Sequence, residues 1–285
     1  MRPIAIWACR SSESSFNQMP LITLLTDFGT QDEYVGVMKG VIAGINPEVR
    51  VVDISHSIEP QDVVHGAYVL AAAFAFFPGG TIHVAVVDPG VGGARRILAI
   101  ECGRQRFVVP DNGLVEQVLV HQPVTAAVSV ENPLYFLKRA SHTFHGRDIF
   151  APVSAHLAAG LPLAELGPAV HRDTIVSGVV PRCRFSSPAC VEGMVVSADR
   201  FGNLMTNIDA ATIDQLAHRD TGKKMMVELA DKPVGVIVAS YERVAAHMPL
   251  ALIGSRGLLE ISVNLGNARQ ALDAGKHDRV RVRLT

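Results

Sequence analysis

No charge of one sign dominates this sequence: 26 Lys and Arg stand against 27 Asp and Glu, a formal net charge of −1. With no basic field to hold a phosphate backbone, the chain is expected to bind no nucleic acid. No apolar run is long enough to cross a bilayer either. The longest, Ala67 to Phe77, stops at Pro78, whereas a spanning helix needs about 20 residues. No membrane association is expected. Four cysteines (Cys9, Cys102, Cys183, Cys190) include no Cys-x-x-Cys pair. Neither a zinc ribbon nor a disulfide framework follows, and a reducing cytoplasm is the simplest compartment. A Gly-x-Ser-x-Gly elbow, a His-Glu-x-x-His pair and the Gly-Lys-Ser/Thr ending of a P-loop are all missing.

What is present is a globular composition with an apolar tilt, 48% hydrophobic and 19% charged. Its 285 residues suffice for two modest domains, each with its own core. Residues 1–19 differ in character and read as an extension outside the fold, with Met19 as an alternative start. Beyond them, short apolar runs alternate with helical spacing. Leu21–Leu25, Val49–Ile54 and Thr81–Val87 read as strands; Tyr34–Ile45 and Pro60–Phe77 read as helices. Ile97–Glu101 and Arg106–Val109 read as a hairpin, followed by helices at Leu114–Val120 and Asp148–Gly160. This alternation predicts an α/β domain over 20–178, a mostly parallel sheet flanked by helices. A linker is expected over 179–189. The short alternating runs of 190–285 predict an all-β, barrel-like C-terminal domain.

Polar residues gather where strands end, which is where ligands bind in open α/β sheets. Thr26-Asp27-Phe28-Gly29-Thr30-Gln31-Asp32 places two carboxylates around a turn. Asp27 suits either a pair of ribose hydroxyls or the cap of the next helix. Val87-Asp88-Pro89-Gly90-Val91-Gly92-Gly93-Ala94-Arg95-Arg96 joins a strand-end acid to a flexible turn and two arginines. Either Arg95 or Arg96 can pair with Asp88 or with a ligand carboxylate. Ser141-His-Thr-Phe-His145-Gly146-Arg147-Asp148 packs His, Arg and Asp before a helix. Asp148 is explained as its cap; His145 is harder to explain as packing. Asp199-Arg200-Phe201-Gly202-Asn203 reads as a turn whose Asn203 matches the edge of an adenine. Gly254-Ser255-Arg256-Gly257 reads as a turn able to hold a carboxylate.

Taken together, in order and spacing, these segments and Pro110-Asp-Asn-Gly113 resemble the S-adenosylmethionine hydroxide adenosyltransferases, relatives of the fluorinase and chlorinase enzymes, over about residues 20–270. The resemblance implies hydrolysis of S-adenosylmethionine to adenosine and L-methionine, by in-line attack of water at the ribose 5′-carbon. It implies a homotrimer with the site between subunits. It implies Asp27 on the ribose, Asn203 on the adenine, and Asp32, Asp199, Ser255 and Arg256 at the methionine end. Asp88, Arg95 and His145 become a water-activating trio, with the identity of the base open. The substrate is a small molecule; no metal and no cofactor are implied. Halogenating relatives carry an aromatic residue at the position of Asp88, and a carboxylate there repels a halide. Two rivals remain: a non-catalytic S-adenosylmethionine-binding protein, and a metal-dependent hydrolase using Asp88, Asp111, His145 and Asp148.

Overall fold

A computed structural model describes residues 20–220 and 222–285; the extension expected over 1–19 lies outside them. The first sheet is built from β1 (Leu21–Thr26), β2 (Arg50–Ser55), β3 (Ile82–Val86), β4 (Ile97–Cys102), β5 (Gln105–Pro110) and β6 (Val124–Ser129), in the order β2-β1-β3-β5-β4-β6. Only β4 runs against the rest; it pairs antiparallel with both β5 and β6. The helices are α1 (Tyr34–Ile45), α2 (Val63–Ala73), α3 (Glu116–His121) and α4 (Ala151–Ala158). The central strands are apolar on both faces because both faces are covered. On β3, Ile82, Val84 and Val86 join Met38 and Ile42 of α1 and Val153 of α4, while Ala85 and the following Val87 join Leu70 of α2 and Val118 of α3. Period-two alternation thus divides one strand between two cores.

The second sheet is antiparallel: β7 (Arg184–Ser187), β8 (Cys190–Ala198), β9 (Leu204–Asp209), β10 (Met225–Leu229), β11 (Lys232–Val236), β12 (Pro249–Ile253), β13 (Leu258–Val263) and β14 (Arg279–Leu284). Seven strands follow the order β11-β10-β14-β8-β9-β13-β12, and β7 pairs with β8 alongside them. Just past β11, a bridge from Ile237 to Ala251 brings the two terminal strands together, so the sheet is nearly closed. Val191, Val195, Leu204, Ile261 and Val280 fill the interior. This is the barrel-like architecture expected, with α5 (Ala210–Ala217) and α6 (Ala268–Ala271) attached to it.

Several elements were not legible. Strand β6 is an edge strand, half exposed, so its apolar alternation fades. Strand β7 lies inside the stretch 179–189 read as a linker, and it too is mostly exposed. Strand β9 carries Thr206 and Asn207 in buried positions; Thr206 Oγ1 donates to Leu259 O at 2.8 Å and Asn207 Nδ2 to Pro181 O at 3.0 Å. Helix α5 has only Ile213 and Leu216 to mark its buried side. The helix expected from Pro60 begins later, because Gln61 has a φ of 66° and Asp62 caps it by accepting from His65 N at 3.0 Å. Helix α2 also packs against the barrel: its Ala67 and Tyr68 share a cluster with Val196 and Met205, and Asp62 pairs with Lys276.

Candidate active site

Strand β3 delivers Asp88 to the sheet's carboxyl edge. Asn112 Nδ2 donates to Val87 O at 2.8 Å and steadies the strand end. The chain then turns through Gly92, whose φ is 76° and whose Cα rests against the backbone of His142. An added Cβ would lie 2.2 Å from the His142 carbonyl oxygen, so only glycine permits this approach. The approach sets the loop after β3 against the segment that carries His145.

There Arg95 joins two residues far apart in sequence. Its Nε donates to Asp88 Oδ1 at 3.1 Å and Oδ2 at 2.9 Å, and its Nη2 to Asp88 Oδ2 at 2.6 Å. The same Nη2 lies 2.8 Å from His145 Nδ1. The Asp88 side chain is 4% exposed and that of Arg95 12%. An arginine side chain only donates, so His145 Nδ1 is the acceptor. The imidazole is therefore neutral and carries its hydrogen on Nε2. Burial, and then the Arg95 charge, hold the His145 pKa below its ordinary value.

His145 stands directly before a π-helical turn, Gly146–Phe150, that runs into α4. Such turns recur at functional sites. Asp148 is not the cap that the sequence suggests; His145 holds that position. Its buried carboxylate instead accepts from Ser141 N at 2.7 Å and Arg147 Nε at 2.6 Å, closing the loop that presents His145. Arg147 and the Ser141 hydrogen bonds pull the Asp148 pKa down against its burial, which acts the other way.

The two neighbouring arginines separate cleanly. Arg96 turns away and donates to Asp111 Oδ2 at 2.8 Å, while Asp111 Oδ1 accepts from Val176 N at 2.8 Å. Arg96 thus ties down the chain leaving the first sheet, and Arg95 alone serves Asp88. Asp88, Asp111 and Asp148 each have their own arginine. Among the described residues no three His, Cys, Asp or Glu side chains gather at one point.

Asp27 directly follows β1, and its Oδ2 accepts from Gln61 N at 2.7 Å. Phe28 packs edge-on against Phe144 with ring centres 5.9 Å apart, linking the first segment to the His145 loop. Asp32 is exposed in the loop before α1 and makes no side-chain hydrogen bond among the described residues.

The remaining expected residues form a second group on the barrel. Asp199 closes its own turn: Oδ1 accepts from Phe201 N and Asn203 N, both at 2.9 Å, and Oδ2 from Asn203 Nδ2 at 2.9 Å. Asn203 therefore keeps its side-chain oxygen free. It lines an open depression of about 500 Å³ with Phe201, Tyr241 and Leu265. Phe201 is 75% exposed and Leu265 81%, unusual for side chains of this size. Ser255 and Arg256 project from the β12–β13 turn, and Arg256 is close enough to His65 to help burial lower its pKa. Tyr241 stands outside every motif singled out in the sequence, although it lines the same depression. No hydrogen bond or ion pair among the described residues joins this group to Asp88, Arg95 and His145.

Comparison with known proteins matches the chain to two family models. Residues 22–167 match the SAM hydroxide adenosyltransferase N-terminal domain, and residues 193–281 the C-terminal domain. A Thermus thermophilus protein named (R)-S-adenosyl-L-methionine hydrolase is 40% identical over 92% of this chain and 98% of its own. One of the same name from Salinispora tropica is 39% identical over 92% and 97%. A fluorinase from an Actinoplanes species is 30% identical over 87% and 92%. A solved structure of a conserved Thermotoga maritima protein superposes with a TM-score of 0.83 at 36% identity, covering 92% of this chain and 99% of that one.

Proposed function

This chain belongs to the SAM hydroxide adenosyltransferase family, and from that membership we infer that it hydrolyses S-adenosylmethionine to adenosine and L-methionine. The relatives' names specify the R epimer at sulfur, and that epimer is the substrate assigned here. The observation that carries the mechanism is Arg95 held between Asp88 and His145.

Water attacks the 5′-carbon in line with the sulfonium. The C–S bond breaks with its electron pair staying on sulfur, so methionine leaves neutral and needs no acid. As the C–O bond forms, the attacking water becomes strongly acidic, and an ordinary carboxylate suffices to take its proton. Asp88 is that base. His145 has its Nδ1 occupied by Arg95, so its Nε2–H donates to the water oxygen and aims it. Arg95 donates to both Asp88 oxygens and to His145 Nδ1, and so fixes the two side chains relative to each other. The reaction so written uses no metal and no cofactor. The arginine pairing of Asp88, Asp111 and Asp148 also argues against their service as metal ligands.

On the barrel, Asn203 reads the adenine edge and Phe201 and Tyr241 flank its faces, since apolar rings around one amide suit a nucleobase. Asp27 holds the ribose hydroxyls; Asp32, Asp199, Ser255 and Arg256 hold the methionine end. Membership of the family favours a homotrimer in which a neighbouring copy completes each site. No helix among the described residues is long and apolar enough to cross a membrane. The described cysteines are all unpaired, which fits a reducing cytoplasm.

Purified protein is incubated with S-adenosylmethionine of mixed sulfur configuration in oxygen-18 water. Adenosine labelled at the 5′-oxygen, formed at the expense of the R epimer, is the expected product. Unlabelled adenosine overturns the in-line mechanism. Tight binding without turnover identifies a binding protein instead of an enzyme.

A further inference from the structure

Strand β13 carries a buried carboxylate that the reaction does not use. Leu259, Ile261 and Val263 point into the barrel core, so the alternate residues Glu260 and Ser262 face outward. Both are nevertheless buried, at 6% and 0% exposure. A buried carboxylate is costly unless it is well paired, yet no Lys, Arg or His among the described residues forms an ion pair with Glu260. Two hydroxyls serve it instead: Tyr241 donates to Oε1 at 2.6 Å and Ser262 Oγ to the same oxygen at 2.8 Å. The neighbouring turn also makes room for it, since a Cβ on Gly254 would stand 2.6 Å from Oε2. Tyr241 begins a single 3-10 turn, Tyr241–Arg243, in the long connection between β11 and β12, and its ring lines the depression beside Asn203 and Phe201. Burial and Glu260 raise the Tyr241 pKa to about 12, so the hydroxyl remains a donor at any working pH.

We propose that Glu260 is a positioning residue for the nucleobase: through Tyr241 it locks one wall of the adenine depression in place. This rests on the reading of that depression as the adenine site. Fixing the Tyr241 side chain in advance removes part of the ordering cost of binding.

The variants Glu260→Leu, Tyr241→Phe and the double variant are made in the full chain. Turnover of S-adenosylmethionine is measured, with calorimetric binding of adenosine and of methionine separately. Glu260→Leu and Tyr241→Phe are each expected to raise KM about three- to tenfold, the scale of one hydrogen bond, and to change kcat less than twofold. Adenosine binding weakens by the same factor and methionine binding does not. The double variant is no worse than Tyr241→Phe, because Glu260 acts only through that hydroxyl. Additive losses, or a loss confined to methionine, overturn the proposal. Wild-type protein that binds no adenosine overturns the adenine site and the lock together. Wild-type binding that the variants leave unchanged overturns the lock alone.

Discussion

Arg95 Nη2 donates to His145 Nδ1 at 2.8 Å, across 50 residues of sequence. Because the same nitrogen also holds Asp88, one guanidinium fixes the tautomer of the histidine and the orientation of the carboxylate at once. The division of labour at the site follows from that geometry: the base is the group whose lone pairs remain available, and that is Asp88.

Replacing Asp88 by Asn keeps the shape and removes the base. The expected loss is about a hundredfold or more in kcat, within the range for general-base catalysis, with a much smaller change in KM. Steady-state kinetics check it, and full activity in Asp88→Asn removes the assigned role.

The adjacent arginines make opposite predictions. Arg95→Lys supplies a charge but not a planar fork, so it cannot serve Asp88 and His145 together, and kcat falls about tenfold or more. Nitrogen-15 NMR of the imidazole is expected to show an unprotonated Nδ1 in the wild type and a mixture of tautomers in the variant. Arg96→Ala instead frees the buried Asp111 and the chain at Thr174–Val176. It lowers the melting temperature while kcat stays within a few-fold.

Protonating His145 destroys the acceptor that Arg95 needs. Its pKa lies below the ordinary value, so activity holds through neutral pH and falls only in acid, below the usual histidine range. A pH–kcat profile whose acid limb lies above pH 7 contradicts this.

His83 gives a separate prediction for stability. Its buried ring accepts or donates at Thr23 Oγ1, 2.8 Å away, and burial pushes its pKa down to about 4. The unfolded chain, with an ordinary histidine pKa near 6.5, binds the proton more readily. The stabilisation is therefore complete above about pH 6.5, declines as the pH falls toward about 4, and amounts to roughly 3 kcal/mol across that window. Chemical denaturation of His83→Phe is expected to show a shallower pH dependence there than the wild type.

Gly92→Ala tests the close approach of the two catalytic loops. The left-handed backbone costs about 1–2 kcal/mol for a side chain, and the contact with the His142 carbonyl adds to it. Both stability and kcat fall, because the loop that moves carries Arg95. An unchanged kcat would show that the loop spacing is irrelevant to the chemistry.

The sequence by itself determined the two architectures and the family. Strand runs at Leu21 and Thr81 are continuous because both faces of the sheet are covered, and such runs are visible without coordinates. Edge strands β6 and β7 escaped because exposure erases the apolar pattern. The Asp27, Asp88, His145, Asn203 and Arg256 segments stood out through rare local combinations of turn residues and charge. The local pattern left Arg95 and Arg96 open as partners of Asp88 and only the family resemblance favoured Arg95; their opposite directions from the backbone separate them in the structure. The tautomer of His145 and the burial of Glu260 beneath Tyr241 were equally out of reach. Both depend on which atoms meet across distant segments, and hydrogen-bond direction is a property of that meeting rather than of either residue.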